Sequence, residues 1–196
     1  MNSALILAYL GVALMVGVSG LASAVATSRC GMAAVGALKK NSSAFGSYMI
    51  LSALPGSQGL YGFVGYFMVS GLISADMSMF AAVAIFGAGL LMAIVCLSSA
   101  LFQSKVCANG IAAIGNGNDV MGKTLILAAF PELYAILGVA ATFLVSSAIS
   151  PEGLENQAEL NAKFEAATIK VETAAAEVEV EEVVAFEEAA AEVVAE

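Results

Sequence analysis

Three short polar turns divide the first 149 positions into four long apolar segments. The turns are rich in Lys, Asn, Asp and Ser and occupy residues 39–43, 74–78 and 116–119. The apolar segments are residues 4–38, 44–73, 79–115 and 122–149. An α-helix needs about 20 apolar residues to cross the hydrocarbon core of a bilayer. The pattern therefore predicts an all-α integral membrane protein with four transmembrane helices.

The composition of these segments favours closely packed helices. They are rich in Gly, Ala, Ser and Leu, which let helices approach one another in lipid, and they lack the strict alternation of a membrane barrel. The first segment has no basic start and is longer than a signal-peptide core, so we expect it to remain as the first helix. The three cysteines all lie in apolar segments and the sequence has no histidine, which argues against a disulfide framework and a zinc site.

The acidic character of the chain belongs to its C-terminal segment, residues 150–196. The whole chain has a net charge of −9. Residues 151–196 alone carry thirteen acidic residues and two lysines, so the rest of the chain has a slight positive excess. The Ala/Val/Glu-rich composition of this segment is compatible with a solvated helix or with disorder. We interpret it as a solvated appendage.

Shifting the sequence by 76 residues aligns its two halves without a gap. The matched pairs include Arg29 with Lys105, Pro55 with Pro131, Gly46 with Gly122, Gly62 with Gly138, and Ser23 with Ser99. Internal duplication predicts two copies of one helical hairpin, residues 1–76 and 77–149. The copies have the same direction because an even number of helices separates them, so this is a parallel repeat, unlike the inverted repeats of many transporters. Two hairpins related by rotation about the membrane normal suit assembly into a ring.

The basic residues of the body predict its orientation. They lie towards the same ends of the predicted helices, at Arg29, Lys39, Lys40, Lys105 and Lys123. By the positive-inside rule, the loops 39–43 and 116–121 are cytoplasmic. Both termini, and with them the acidic segment, are then extracytoplasmic.

A single carboxylate lies within the apolar segments. Glu132 is the sole acidic residue inside a predicted span, and a charge at that depth costs roughly 2.5–3.5 kcal/mol on insertion scales. At about 1.5 Å per residue, three polar residues lie about 15–21 Å from the ends of their helices, namely Glu132, Gln103 and Gln58. They therefore fall in one layer. Pro131 precedes Glu132 and loosens the backbone there. Glu132 is the predicted centre of function, whereas a glutamine alone is often interhelical packing.

More oxygen groups lie at the same level of the second helix. One helix face carries four residues that are related by three- or four-residue steps: Leu54, Ser57, Gln58 and Tyr61. Pro55 cannot donate a backbone hydrogen bond, which frees carbonyl oxygen at this level. A cation in lipid needs such a cage of oxygens, whereas a proton needs only the carboxylate.

At these residues the chain resembles the proteolipid subunit, called c or K, of V-type and archaeal-type rotary ATPases. The resemblance covers residues 1–149. It is carried by Leu-Pro-Gly-Ser-Gln-Gly-Leu-Tyr-Gly at 54–62, Gln-Ser-Lys-Val at 103–106 and Phe-Pro-Glu-Leu-Tyr-Ala-Ile-Leu-Gly at 130–138. A carboxylate in the fourth helix alone, with Gly56 at its counterpart in the second, is also typical of that family. The acidic segment 150–196 is not part of the family pattern.

The resemblance implies a ring of these subunits that turns against a stator in the membrane. Glu132 would carry the ion, neutral when loaded and paired with a stator arginine when unloaded. In sodium-carrying members the ion is held at the positions matching Leu54 (backbone oxygen), Ser57, Gln58, Gln103 and Glu132. The position matching Tyr61 orients the carboxylate. The implied cargo is therefore Na⁺, and the implied partners are further copies of the chain, a stator subunit with an essential arginine, a central-stalk subunit at the cytoplasmic loops and membrane lipid, with no nucleic acid.

Two alternatives stay open at the level of sequence. The first is the same rotor carrying H⁺. The second is a tetraspan channel or a structural membrane oligomer without a motor, although a channel favours a continuous polar stripe rather than one polar layer. In each case the isolated chain catalyses no reaction, so enzymatic activity would belong to the assembled complex.

Overall fold

The computed structural model describes residues 3–156, 158–159, 161–162 and 165, and all of its regular structure there is helical. Five α-helices are present: α1 (Ser3–Leu38), α2 (Phe45–Ala53), α3 (Ser57–Ser70), α4 (Met79–Gly115) and α5 (Met121–Ala148). The chain forms two compact units, Met1–Ser150 and Pro151–Glu196. The five helices belong to the first unit. In the second, residues 151–156 are helical, and most of the acidic segment lies outside the described residues.

Three of the described helices are long and apolar enough to cross a membrane, namely α1, α4 and α5. The segment expected as the second span is divided into α2 and α3 by a 3₁₀ turn at Leu54–Gly56. Pro55 is the physical reason, because its nitrogen cannot donate the hydrogen bond that a continuous helix requires. The Ser57 backbone N–H instead closes the tighter turn on the carbonyl of Leu54. The loosened backbone expected at Pro55 is therefore a distinct turn.

The core of the first unit is the contact between α1 and α4, where small residues bring the backbones together. A Cβ built on Gly11 would lie 2.6 Å from the Cα of Phe86. A Cβ on Gly89 would overlap the backbone of Gly11. Small residues allow this close packing in lipid, where dispersion contacts rather than the hydrophobic effect hold helices together.

The outer helices α3 and α5 pack on this pair in the same manner. The backbone of α3 approaches α1 at Gly62, where a Cβ would overlap Met15 and Ser19. In α5, Thr124 lies against Gly110 of α4. Large apolar side chains point outwards instead: Phe67 and Leu144 are both 67% exposed. This distribution, with small residues inside and large apolar residues outside, suits a lipid environment.

The turns after α1 and α4 lie side by side. Lys40 Nζ donates a hydrogen bond of 2.8 Å to Asn116 Oδ1, and these two residues are matched by the 76-residue shift. Tyr48 Oη donates to the carbonyl of Asn41 at 2.9 Å, which ties the start of α2 to the same turn. At the other end, Ser78 caps α4 by accepting from the Ala81 N–H. The turns after α1 and α4 therefore occupy one end of the unit, close to Lys40 and the start of α5.

Candidate functional site

The Glu132 carboxylate of α5 is held by three side chains from two neighbouring helices. Its Oε1 accepts hydrogen bonds from Ser57 Oγ at 2.8 Å and from Tyr61 Oη at 2.8 Å, both on α3. Its Oε2 accepts from Gln103 Nε2 of α4 at 3.0 Å. All three partners are neutral. The carboxylate is thus fixed in position without a compensating cation from its own hydrogen-bond partners.

The two glutamines are buried and hydrogen-bonded to each other, and Gln103 connects the pair to the carboxylate. Gln58 Nε2 donates to Gln103 Oε1 at 2.8 Å and to Ser99 Oγ at 3.0 Å. Gln103 Nε2 also donates to the carbonyl of Ala128 at 3.0 Å. Both glutamine side chains are fully buried. Within the part of the chain that the structure describes, Gln58 Oε1 is buried and has no hydrogen-bond partner.

Three oxygens lie close together at Ser57. Ser57 Oγ lies 2.8 Å from Glu132 Oε1 and 3.2 Å from the carbonyl oxygen of Leu54. A serine hydroxyl has one proton and can donate to only one of these acceptors. Each acceptor also has another donor: the Leu54 carbonyl accepts from the Ser57 backbone N–H, and Glu132 Oε1 accepts from Tyr61 Oη. The remaining lone pairs of these oxygens are the groups to which a cation would bind.

The 3₁₀ turn that presents the Leu54 carbonyl is supported by α1. Ser23 Oγ donates to the carbonyl of Gly56 at 3.2 Å and accepts from the backbone N–H of Gly59 at 2.8 Å. These are backbone groups that the interruption of the helix frees from the regular pattern. A single side chain from the inner helix thus completes the hydrogen bonding of the broken turn.

The structure brings together every residue expected at the site. Ser57, Tyr61 and Gln103 contact Glu132 directly, Gln58 contacts Gln103, and Leu54 is joined through Ser57. Their roles as ligands, and that of Tyr61 in orienting the carboxylate, stay predictions. Sequence reasoning assigned no role to Ser23 or Ser99. Their identity under the 76-residue shift was the available signal, and it was lost among many chance matches of small residues.

Cationic side chains near this level point away from the site. Arg29 and Lys105 are exposed, and Lys105 Nζ lies 4.8 Å from the centre of the Phe102 ring. Among the described residues, no group of three or more His, Cys, Asp or Glu side chains could hold a metal ion. The site is therefore one carboxylate among neutral oxygens. Such a donor set matches a hard monovalent cation or a proton.

Comparisons with known proteins identify the same two halves. The family model that describes the C subunit of ATP synthase matches residues 10–69 and 86–145. The second match begins and ends 76 residues after the first, and this is the shift that aligns the two halves of the chain.

Two curated relatives extend over most of the chain. It is 37% identical to the V-type sodium ATPase subunit K of Enterococcus hirae over 144 residues, which covers 74% of this chain and 92% of that protein. It is 33% identical to the A-type ATP synthase subunit K of Methanocaldococcus jannaschii over 162 residues, which covers 82% of this chain and 71% of that protein.

Proposed function

The chain belongs to the family of the ATP synthase C subunit, and from this premise we propose that it is a rotor-ring subunit that carries Na⁺ on Glu132. Membership of this family, together with the apolar helices, identifies the chain as a multi-pass membrane proteolipid. The observation that carries the proposal is the arrangement at Glu132. One carboxylate is held by neutral donors, and one of them, Gln103, contacts Gln58, whose Oε1 is buried and unpaired.

A single carboxylate among neutral groups suits an ion that must travel through lipid. Loaded with Na⁺ or with a proton, the site has no net charge and can face hydrocarbon. Empty, it has a bare negative charge whose burial costs several kcal/mol. The unloaded state therefore requires a positive partner, and we propose the arginine of a stator subunit for that role.

Sodium is favoured over the proton by the supply of oxygens. Three oxygens lie close together at one point, those of Leu54, Ser57 and Glu132. Gln58 Oε1 adds a buried oxygen without a partner. Gln103 turns its nitrogen to Glu132, so it braces the carboxylate and supplies an oxygen only after its amide turns over. A proton-carrying site needs none of these additional oxygens. The relative from Enterococcus hirae is named as a sodium ATPase subunit, which supports the same cargo.

We further propose that α2, the 3₁₀ turn and α3 together make the second of four spans. Together they extend from Phe45 to Ser70, which exceeds the roughly 20 residues that a span requires. The loops 39–43 and 116–121 are then cytoplasmic and face the central stalk, and both termini are extracytoplasmic. In this arrangement the hairpins 1–76 and 77–149 form the rotor body, and residues 150–196 are a separate acidic segment.

The internal repeat supports a specific way for copies of the chain to join. Inside one chain, Ala22 and Ala26 of the first hairpin pack on Ala100, and Gln58 contacts Gln103. The 76-residue shift places Ser98, Phe102 and Tyr134 at the equivalents of Ala22, Ala26 and Gln58. These three residues line an open groove of about 420 Å³ beside α4 and α5. The second hairpin thus has a face that corresponds to the docking face of the first, and no described residue of its own chain occupies it.

The complementary face lies on the first hairpin. Ala24 and Thr27 are the equivalents of Ala100 and Gln103. Ala24 is exposed, and Thr27 lines a second groove of about 530 Å³ between α1 and α2. The face on the first hairpin differs from the face on the second. When two copies join through one face of each kind, the pair still has one unused face of each kind for further copies. Such head-to-tail contacts close into a ring when the rotation per copy permits.

Carbodiimide labelling of Glu132 in the intact complex tests the proposed cargo. We expect millimolar Na⁺ to protect Glu132 near neutral pH and K⁺ to give no protection. Protection should weaken as the pH falls because protons compete for the same carboxylate. Gln58→Ala or Gln103→Ala should remove the protection while rings still assemble. Labelling that is indifferent to Na⁺ from acidic to alkaline pH would assign the site to protons instead.

A further inference from the structure

Two serines of the inner helices α1 and α4 contact neighbours of the proposed ion site rather than Glu132 itself. Ser23 of α1 and Ser99 of α4 occupy matched positions in the two repeats. Both are buried, with exposed fractions of 8% and 3%, and both touch α3 rather than Glu132. Ser23 bonds the backbone on either side of Ser57, at Gly56 and Gly59. Ser99 bonds the side chain of Gln58.

Ser99 and Gln103 together hold the nitrogen end of the Gln58 amide towards α4. The two protons on Gln58 Nε2 are both used, one on Ser99 Oγ and one on Gln103 Oε1. With its nitrogen held towards α4, the amide leaves Oε1 buried and unpaired. Without the Ser99 acceptor, one of those protons would lose its partner. The amide would then be held by the Gln103 contact alone, and its oxygen would be less well fixed in place for a cation.

We propose that Ser99 and Ser23 are positioning residues that make the site selective for Na⁺ over H⁺. This proposal rests on the function proposed above. Ser99 keeps the Gln58 oxygen available to a cation, and Ser23 holds open the turn that presents the Leu54 carbonyl. Proton binding at Glu132 uses neither oxygen. The serines therefore affect the affinity for Na⁺ and leave the reaction of the protonated carboxylate unchanged.

The two serines act on different ligands through different bonds. Ser23 satisfies a backbone carbonyl and a backbone N–H at distances of 3.2 and 2.8 Å, which stabilises the open turn. Ser99 is an acceptor for one side chain at 3.0 Å. Removing Ser23 would also disturb the fold of α3, because it leaves the Gly59 N–H without that partner. Ser99 is the better position for an experiment, because its removal affects one side-chain hydrogen bond and no backbone group.

The test measures the Na⁺ concentration that gives half-protection of Glu132 from carbodiimide in the intact complex. Ser99→Ala should raise this concentration about threefold to tenfold, the factor expected for one neutral hydrogen bond. The pH dependence of labelling without Na⁺ should be unchanged. Ser99→Cys has nearly the same size and only a weak acceptor, so it should show a similar loss.

Ser146→Ala is the matched control. Ser146 of α5 is a buried serine like Ser99, and its hydroxyl donates to a carbonyl of its own helix, at Phe143. Half-protection in this variant should stay at the wild-type Na⁺ concentration. Wild-type half-protection in both Ser99 variants would overturn the positioning role, as would an equal shift of the Na⁺-free pH profile. A wild-type complex that Na⁺ does not protect would overturn the proposed cargo and the positioning role together.

Discussion

At the scale of single residues, the site is defined by the oxygens that surround one carboxylate. Ser57 Oγ lies near both Glu132 and the Leu54 carbonyl, and the buried Gln58 Oε1 has no donor. Buried polar groups are nearly always paired, so the unpaired oxygen of a side chain that contacts Gln103 requires an explanation. A bound cation supplies one, because it satisfies several oxygens at once.

Tyr61 tests whether the carboxylate must be held in one orientation. Its hydroxyl donates to Glu132 Oε1 at 2.8 Å. Tyr61→Phe removes that bond with little change in shape, so we expect Na⁺ binding to weaken about threefold to tenfold. Half-protection from carbodiimide would measure the change.

Tyr66→Phe on the same helix provides the control for this substitution. Tyr66 packs with Phe63 and Phe67 in an aromatic cluster, and loss of its hydroxyl should leave Na⁺ binding unchanged. Equal affinities in the wild type and Tyr61→Phe would mean that Ser57 and Gln103 are sufficient to orient the carboxylate.

The identities of the site residues could be read from the sequence, but the direction of their amides could not. Periodicity places Ser57 and Tyr61 on one helix face, and depth places Gln103 level with Glu132. Whether Gln58 presents its oxygen or its nitrogen depends on Gln103 and Ser99, which come from another helix. That helix is brought close by the packing of α1 on α4, which no local pattern determines.

At the scale of helices, the two matched prolines have different effects. Pro55 lies in the 3₁₀ turn that separates α2 from α3, whereas Pro131 lies inside the continuous helix α5. The sequence predicted loosened backbone at both. Pro55 is followed by Gly56, whose carbonyl Ser23 satisfies, and this support allows the helix to break. Tertiary support of this kind is not visible in the local sequence.

Close packing of α1 and α4 predicts that Gly89 cannot carry a side chain. A methyl group there would overlap the backbone of Gly11. Overpacking of this kind typically costs about 1–3 kcal/mol. Gly89→Ala should therefore lower the thermal midpoint of the detergent-solubilised protein.

Gly36→Ala is the comparison for this prediction. A Cβ at Gly36 meets no atom within 4 Å, and its counterpart in the second repeat is already Ala112. This variant should melt like the wild type. Equal midpoints for Gly89→Ala and wild type would contradict the close approach of α1 and α4.

At the scale of the molecule, the repeat predicts which residues of two copies meet in the proposed ring. The contact between Gln58 and Gln103 inside one chain would correspond to a contact between Tyr134 of one copy and Thr27 of the next. In a variant without Cys30, Cys96 and Cys107, Tyr134→Cys with Thr27→Cys should form ladders of oligomers with a short bifunctional thiol reagent. Gel electrophoresis would show them.

The equivalent pair within one chain is the control for the ladder. Gln58→Cys with Gln103→Cys, in the same cysteine-free background, should be linked within single chains and remain monomeric on the gel. A Tyr134/Thr27 pair that also stays monomeric would contradict the proposed head-to-tail ring.

The acidic segment tests the orientation of the whole molecule. With both termini outside, a protease added to spheroplasts should cut after Lys163 or Lys170, which lie outside the described residues. Deleting residues 151–196 should leave ring assembly and Na⁺ protection intact, because every residue of the site belongs to the first unit. Cleavage confined to inside-out vesicles would reverse the orientation.

The most direct test of the central claim is ATP-driven uptake of radioactive sodium into inside-out vesicles that contain the Glu132→Gln variant. Glutamine keeps the shape of the side chain and removes the charge that balances Na⁺. We expect rings to assemble and uptake to be abolished, with partial uptake in Glu132→Asp because the shorter side chain binds the ion less well. Substantial sodium uptake by assembled Glu132→Gln complexes would contradict the assignment of Glu132 as the ion carrier.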